Sequence, residues 1–270
     1  MTPRKILALF AAVLLPVSAA AAPAPDRANW DYAKTAARDA GRVASAPARW
    51  ERADWLEAGA VAGVAGGLYA GADVWGQHAA LHNQSRVADS FAEAGRGFGN
   101  GLYTVPALGA AYLIGETMHD RRLRRASLDA VESFAISGLM ISGIKVVAGR
   151  SRPNVGVGRG TWDGPSTGNS HYSFPSGHTQ TAFSIATTFA TEYGDVPGVA
   201  PAAYALAALT GVSRIYNNQH WASDVFVGGA LGYFTAKAVA RAHADPDGRW
   251  SFLFVPVPRG AGAAVAWRFE

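Results

Sequence analysis

The sequence of 270 residues is 49% hydrophobic and only 16% charged, with 31 Gly and no Cys. That composition excludes collagen-like, disordered and disulfide-stapled chains and leaves a globular protein with a large core. The net charge of +4, from 24 basic against 20 acidic side chains, is too small and too dispersed for a phosphate-backbone binder, so no nucleic-acid partner is expected.

In chain order, residues 1–22 read as an export signal. Arg4 and Lys5 form a positive start, Ile6 to Ser18 an apolar stretch of 13 residues, and Ala19 to Ala22 a small-residue cleavage region, with the cut placed after Ala21. An uncleaved anchor is the other reading of this segment. Residues 23–50, rich in Ala, Pro and Arg, are expected as a loosely held arm. Six apolar stretches follow, at about 56–72, 98–115, 128–149, 177–193, 198–214 and 222–242. Their lengths and their Ala, Leu, Val and Phe content argue helix over strand. The expected fold is therefore all-α, a bundle of about six core helices within residues 51–245. The stretch Ser151 to Tyr172 carries Gly156, Gly158, Gly160, Gly164 and Gly168 and is expected as a long loop that lines a binding site. Within the tail, 246–270, Phe252 to Val257 and Ala264 to Phe269 are β-like and predict a terminal hairpin.

Two features bear on membrane crossing. Gly97 to Gly115 and Val196 to Ser213 run 19 and 18 residues without a charge, whereas Ser133 to Ile144, Thr179 to Thr191 and Val225 to Ala236 hold only 12 or 13. Six crossings after an export signal would also place Arg121, Arg122, Arg124 and Arg125 outside, against the positive-inside rule. The expectation is a soluble, exported, periplasmic bundle. The alternatives are membrane association or an integral membrane protein with a periplasm-facing site.

Three clusters carry chemistry. Lys145 is followed after six residues by Arg152-Pro153, so two cations converge near the end of the third helix. Phe174-Pro175-Ser176-Gly177-His178-Thr179 opens the fourth helix, where Ser176 is placed to cap and the amides of Gly177 and His178 face an anion. Ser213-Arg214 precedes His220, and Asp224 lies four residues further, a spacing that lets its carboxylate accept the Nδ1 hydrogen and leave Nε2 as a lone pair. Such a set suits a tetrahedral oxyanion. Lys145, Arg152 and Arg214 neutralise its oxygens, His220 attacks phosphorus and His178 protonates the leaving alkoxide.

These clusters resemble the three signature motifs of the type 2 phosphatidic acid phosphatase and haloperoxidase superfamily, which includes bacterial acid phosphatases and membrane lipid phosphatases. The matching positions are Lys145, Arg152 and Pro153; Pro175, Ser176, Gly177 and His178; Ser213, Arg214, His220 and Asp224. The resemblance implies a helical fold and phosphohistidine chemistry without metal or other cofactor. The expected catalytic residues are His220, His178 and Asp224, and the substrate-binding ones Lys145, Arg152, Ser176, Gly177 and Arg214. The expected partner is a phosphorylated small molecule or a lipid phosphate, either a phosphomonoester or a pyrophosphate. A vanadate-dependent haloperoxidase and a non-catalytic phosphate or lipid binder are the rival readings.

Ser176 does not sit in a nucleophile elbow, since Pro175 occupies the turn and the first Gly of G-x-S-x-G is missing. His78 and His82 share the i, i+4 spacing of a metal pair without a zincin Glu, and a packing or surface role is expected. Arg121 to Arg125 is expected as a solvated connector, and Trp75 to Asn100 as a pocket wall.

Overall fold

The computed structural model describes residues 26–244 and the backbone of 250–257 and 260–267. Residues 26–244 form nine α-helices: α1 (Trp30–Ala44), α2 (Arg52–Gly71), α3 (Asp73–His82), α4 (Arg86–Phe98), α5 (Gly101–Thr117), α6 (Arg121–Ala148), α7 (Gly177–Glu192), α8 (Val199–Tyr216) and α9 (Ala222–Ala244). The six expected helices are α2 and α5 to α9, so the all-α class holds. The signal at 1–22 lies outside the described residues. In a separate unit, β1 (Trp250–Val257) and β2 (Gly260–Trp267) pair antiparallel, Trp250 opposite Trp267.

Three segments expected as irregular are helical. The supposed arm holds α1, opened by Asn29, whose side chain accepts from the Tyr32 amide at 2.9 Å, and closed by burial of Tyr32 and Asp39. The Arg-rich connector is the first turn of α6, capped by Asp120, which accepts from the Leu123 amide at 3.0 Å. Arg124 is buried there, bonding the Gly115 carbonyl and the Asp26 carboxylate. The stretch after Trp75 folds as the rest of α3 and as α4, the latter capped by Ser85 Oγ. In each case capping and tertiary partners outweigh a local composition that reads as polar or broken.

Helix α7 packs against α6, α8 and α9 and forms the centre of the bundle. Its buried face is rich in hydroxyl and amide groups, which satisfy one another: Gln180 donates to Ser137 Oγ of α6 at 2.5 Å, and Ser137 and Ser184 lie 3.0 Å apart. Each such bond contributes about 1 kcal/mol, and the larger effect is the cost of leaving one unmade. Small residues set the helix spacing. A Cβ on Gly228 would stand 2.3 Å from the Ser176 carbonyl oxygen, so glycine alone lets α9 seat on the turn that opens α7. Helix α2 beyond Glu57 and most of α5 are apolar on every face, and large side chains such as Leu102 of α5 (81% exposed) and Leu139 of α6 (73%) point outward. Among the described helices α6 is long and apolar enough to cross a membrane.

Candidate active site

The C-terminal ends of α6 and α8 and the N-terminal ends of α7 and α9 meet at one end of the bundle, and the loop 149–176 closes over them. Beside them α4, the start of α7, the end of α8, the 217–220 turn and Arg152 line a cavity of about 370 Å³. His178, His220, Arg152 and Arg214 all line it, so the two imidazoles and two of the three expected cations face one space.

His220 is 4% exposed, and its Nδ1 lies 2.6 Å from the Ser173 carbonyl oxygen. A carbonyl can only accept, so Nδ1 carries the hydrogen and Nε2 keeps a lone pair. The expected lone pair is therefore present, but its orienting group differs from the expected one. Asp224 Oδ2 stands 3.9 Å from Nδ1 and instead accepts from Ser173 Oγ at 2.5 Å and from the Trp221 amide at 2.9 Å. The carboxylate thus holds the two segments that flank the ring, and the backbone holds the ring itself. Burial pushes the His220 pKa down to about 4; Asp224 opposes this, while the Lys145 and Arg152 cations reinforce it. The imidazole is neutral at ordinary pH.

The other side of Asp224 is held by Arg150, a residue absent from the expected site. Its guanidinium is fully buried, bonds Asp224 and Ser223 Oγ, and reaches Asp73 of α3 at 2.6 Å. Trp162, at 4.8 Å, and Tyr69 lie against its faces. Its one signal in the sequence is its place two residues before Arg152; Asp73 left none, because its partner is 77 residues away.

Arg152 is pinned by Asn169 and by Gln219 Oε1 at 2.6 Å, and burial lowers its pKa. Arg214 is 4% exposed, and its Nη2 is buried without a hydrogen-bond partner. An orphan guanidinium donor at a cavity wall is an unmet demand for an acceptor. Lys145 does not line the cavity; its ammonium donates to the Tyr172 carbonyl at 2.6 Å beside the start of α7. Ser176 occupies the N-cap position without capping through its side chain, because its Oγ accepts from Thr179 Oγ1 at 2.9 Å. The first-turn amides of Gly177 and His178 lack intrahelical acceptors by the geometry of a helix start. Gly99 lets the α4–α5 junction approach: a Cβ there would stand 2.7 Å from the His178 carbonyl oxygen.

Glu93 and Arg96 of α4 complete one wall, as a salt-bridged pair from the stretch expected to supply it. Arg159, from the Gly-rich loop, does not line the cavity and donates to the Ala70 carbonyl at 2.7 Å. His82 turns its Nδ1 to the His78 carbonyl at 2.8 Å rather than joining His78 as a ligand pair.

Residues 126–246 match the family model of the PAP2 superfamily. Over 123 residues the chain is 41% identical to lipid A 1-phosphatase of Porphyromonas gingivalis, a match that covers 43% of this chain and 24%, about a quarter, of that relative's length. Two solved structures are similar. The PAP2 type phosphatidylglycerolphosphate phosphatase of Bacillus subtilis, described as transmembrane, is 23% identical with a TM-score of 0.51 over 67% of this chain and 93% of its own. LpxE of Aquifex aeolicus is 20% identical with a TM-score of 0.49 over 63% and 94%. The first of these likenesses shows a common fold.

Proposed function

We propose, from the premise that the chain belongs to the PAP2 superfamily through residues 126–246, that it is a phosphatase hydrolysing the phosphomonoester of a lipid through a phosphohistidine. The observation that carries this reading is the buried Arg214 donor without a partner, in a cavity shared by Arg152 and two imidazoles. A phosphoryl group supplies the missing acceptors. Arg152, Arg214 and the amides of Gly177 and His178 take its non-bridging oxygens, and Lys145 adds charge from behind the α7 turn. His220 Nε2 attacks phosphorus as the bond to the ester oxygen breaks, and His178, whose pKa burial and the Arg214 cation hold down to about 3, takes up a proton beside the bound phosphoryl anion and gives it to that oxygen. Water then attacks the phosphohistidine, with His178 taking its proton, and releases inorganic phosphate and free His220. Asp224 and Arg150 act by positioning Ser173, whose carbonyl fixes the His220 tautomer.

A lipid substrate is supported by the similarity to lipid A 1-phosphatase and by the outward apolar side chains of α5, α6 and α8, including Leu113, Val147 and Val212. The same belt supports residence at a bilayer, with the export signal directing the site to the periplasm. The test presents the full chain in detergent micelles with a lipid phosphomonoester and, separately, a water-soluble one. Release of phosphate from the lipid substrate is expected, with an acid-labile phosphoryl adduct after rapid quench that is missing in His220→Ala. An adduct of undiminished yield in that variant removes the nucleophile assignment. Peroxide-dependent halide oxidation with vanadate, in place of phosphate release, replaces the whole reading.

A further inference from the structure

At the end of the bundle remote from the cavity, α1, α6 and α9 enclose a second cluster. His243 lies in the last turn of α9, nineteen residues from Asp224 and so roughly 28 Å from the catalytic end at the helical rise. Its ring is 4% exposed and faces Asp39 of α1 and Asp129 and Glu132 of α6, all buried. His243 Nε2 stands 3.2 Å from Asp39 Oδ2 and 3.4 Å from Glu132 Oε2. Neither ring nitrogen makes a hydrogen bond despite these distances, and Asp39 Oδ2 and Glu132 Oε1 have no hydrogen-bond partner either. The oxygens are close to the imidazole but lie off its N–H direction.

That arrangement is what a tetrahedral ion produces. Metal–ligand bonds of about 2.0–2.1 Å separate neighbouring ligand atoms by about 3.3–3.4 Å and place each off its neighbour's bond axis. Charge points the same way. Four carboxylates, Asp39, Asp129, Glu132 and Glu192, face two guanidinium groups, Arg42 and Arg125. Three of these carboxylates, Asp39, Asp129 and Glu132, crowd one imidazole, a concentration of negative charge that a divalent cation offsets. The outer groups are also in place. The Tyr32 hydroxyl lies 2.7 Å from Glu132 Oε2 and 3.2 Å from Asp129 Oδ1, and a hydroxyl donating to a ligand carboxylate is the kind of support that orients metal ligands.

We propose that Asp39, Glu132 and His243 bind a divalent transition ion of the Zn2+ type, which pins α1 to the bundle. This ion is structural and takes no part in the phosphoryl chemistry. The ligands come from positions 39, 132 and 243 and share no sequence spacing.

The test uses the full-length, tag-free chain. After growth with Zn2+ and gel filtration, elemental analysis is expected to find one Zn2+ per chain, and the Co2+-loaded protein is expected to show the visible d–d bands of a four- or five-coordinate ion. Asp39→Asn and Glu132→Gln are expected to lose the ion, while His82→Ala keeps it. Wild-type chain that retains no metal and shows no Co2+ bands overturns the proposal and leaves a protonated His243 as the occupant. Unchanged stoichiometry in both variants overturns it equally. If the variants do not fold, displacement of the wild-type Co2+ bands by one equivalent of Zn2+ supports the site, and their persistence with excess Zn2+ overturns it.

Discussion

The two ends of the helical bundle each bury a histidine beside carboxylates, and they use the pair in opposite ways. At the catalytic end the carboxylate of Asp224 is bound by Arg150, Ser173 and the Trp221 amide, so His220 is left neutral, held by a carbonyl and surrounded by cations. At the remote end Asp39, Asp129 and Glu132 crowd His243 directly. The first end gathers cations around a cavity, as an anion site requires, and the second gathers carboxylates around a ring, as the proposed cation site requires. What separates them is whether a buried guanidinium takes up the carboxylate before the imidazole can; composition alone does not distinguish them.

The largest effect that sharpens this contrast is loss of the proposed nucleophile. His220→Ala is expected to lower kcat by about 10⁴-fold or more, whereas Asp39→Asn leaves kcat per folded molecule near wild type. Comparable losses in both would dissolve the distinction. His178→Ala is expected to cost about 10²–10⁴-fold on alkyl phosphates and far less on aryl phosphates, whose leaving groups need little protonation. Equal losses on the two substrates count against the general acid.

Removing the orphan donor comes next: Arg214→Ala is expected to reduce kcat/KM by about 10²–10³-fold. A loss confined to KM would show that Arg214 binds the ground state only. The lowered His220 pKa has a definite sign. Protonation removes the attacking lone pair only as pH falls through about 4. Measured in His178→Ala with an aryl phosphate, which isolates the nucleophile, the acid limb of kcat/KM is expected near 4; a limb near the ordinary imidazole value of 6.5 breaks the account of burial. The smallest effect is steric. Gly228→Ala drives a methyl against the Ser176 carbonyl and is expected to cost about 1–3 kcal/mol in denaturant unfolding, with disturbance confined to the catalytic end. Chelator treatment completes the comparison, since it is expected to lower Tm through the remote site without lowering kcat.

Much of the catalytic end was legible in the chain because its groups sit in short strings at helix ends. Lys145 to Arg152, Ser176 to His178 and Arg214 to Asp224 each fall within ten or so residues, and a helix start or end brings such neighbours to one mouth. Arg96 and Glu93 were not legible as site residues, because only the packing of α4 on α8 carries them to the cavity. Asp224 shows the limit inside a motif. Its spacing from His220 permits the side-chain pair, yet the Ser173 carbonyl, 47 residues away from that ring, takes the hydrogen. Asp120 before the Arg-rich turn of α6 shows the same limit for the fold: one capping carboxylate and the burial of Arg124 make a helix of a segment that composition assigns to a connector.

From the sequence by itself came the helical class, the positions of six helices and the three strings of candidate site residues, since apolar run length, capping and local spacing are properties of neighbours along the chain. Tertiary structure alone decided that Arg150 holds Asp224, that α1 docks through Tyr32 and Asp39, and that His243 meets carboxylates from positions 39, 129 and 132. The physical reason is that a buried charge is stable only with its partners in place, and those partners are chosen by which helices pack together rather than by distance along the chain.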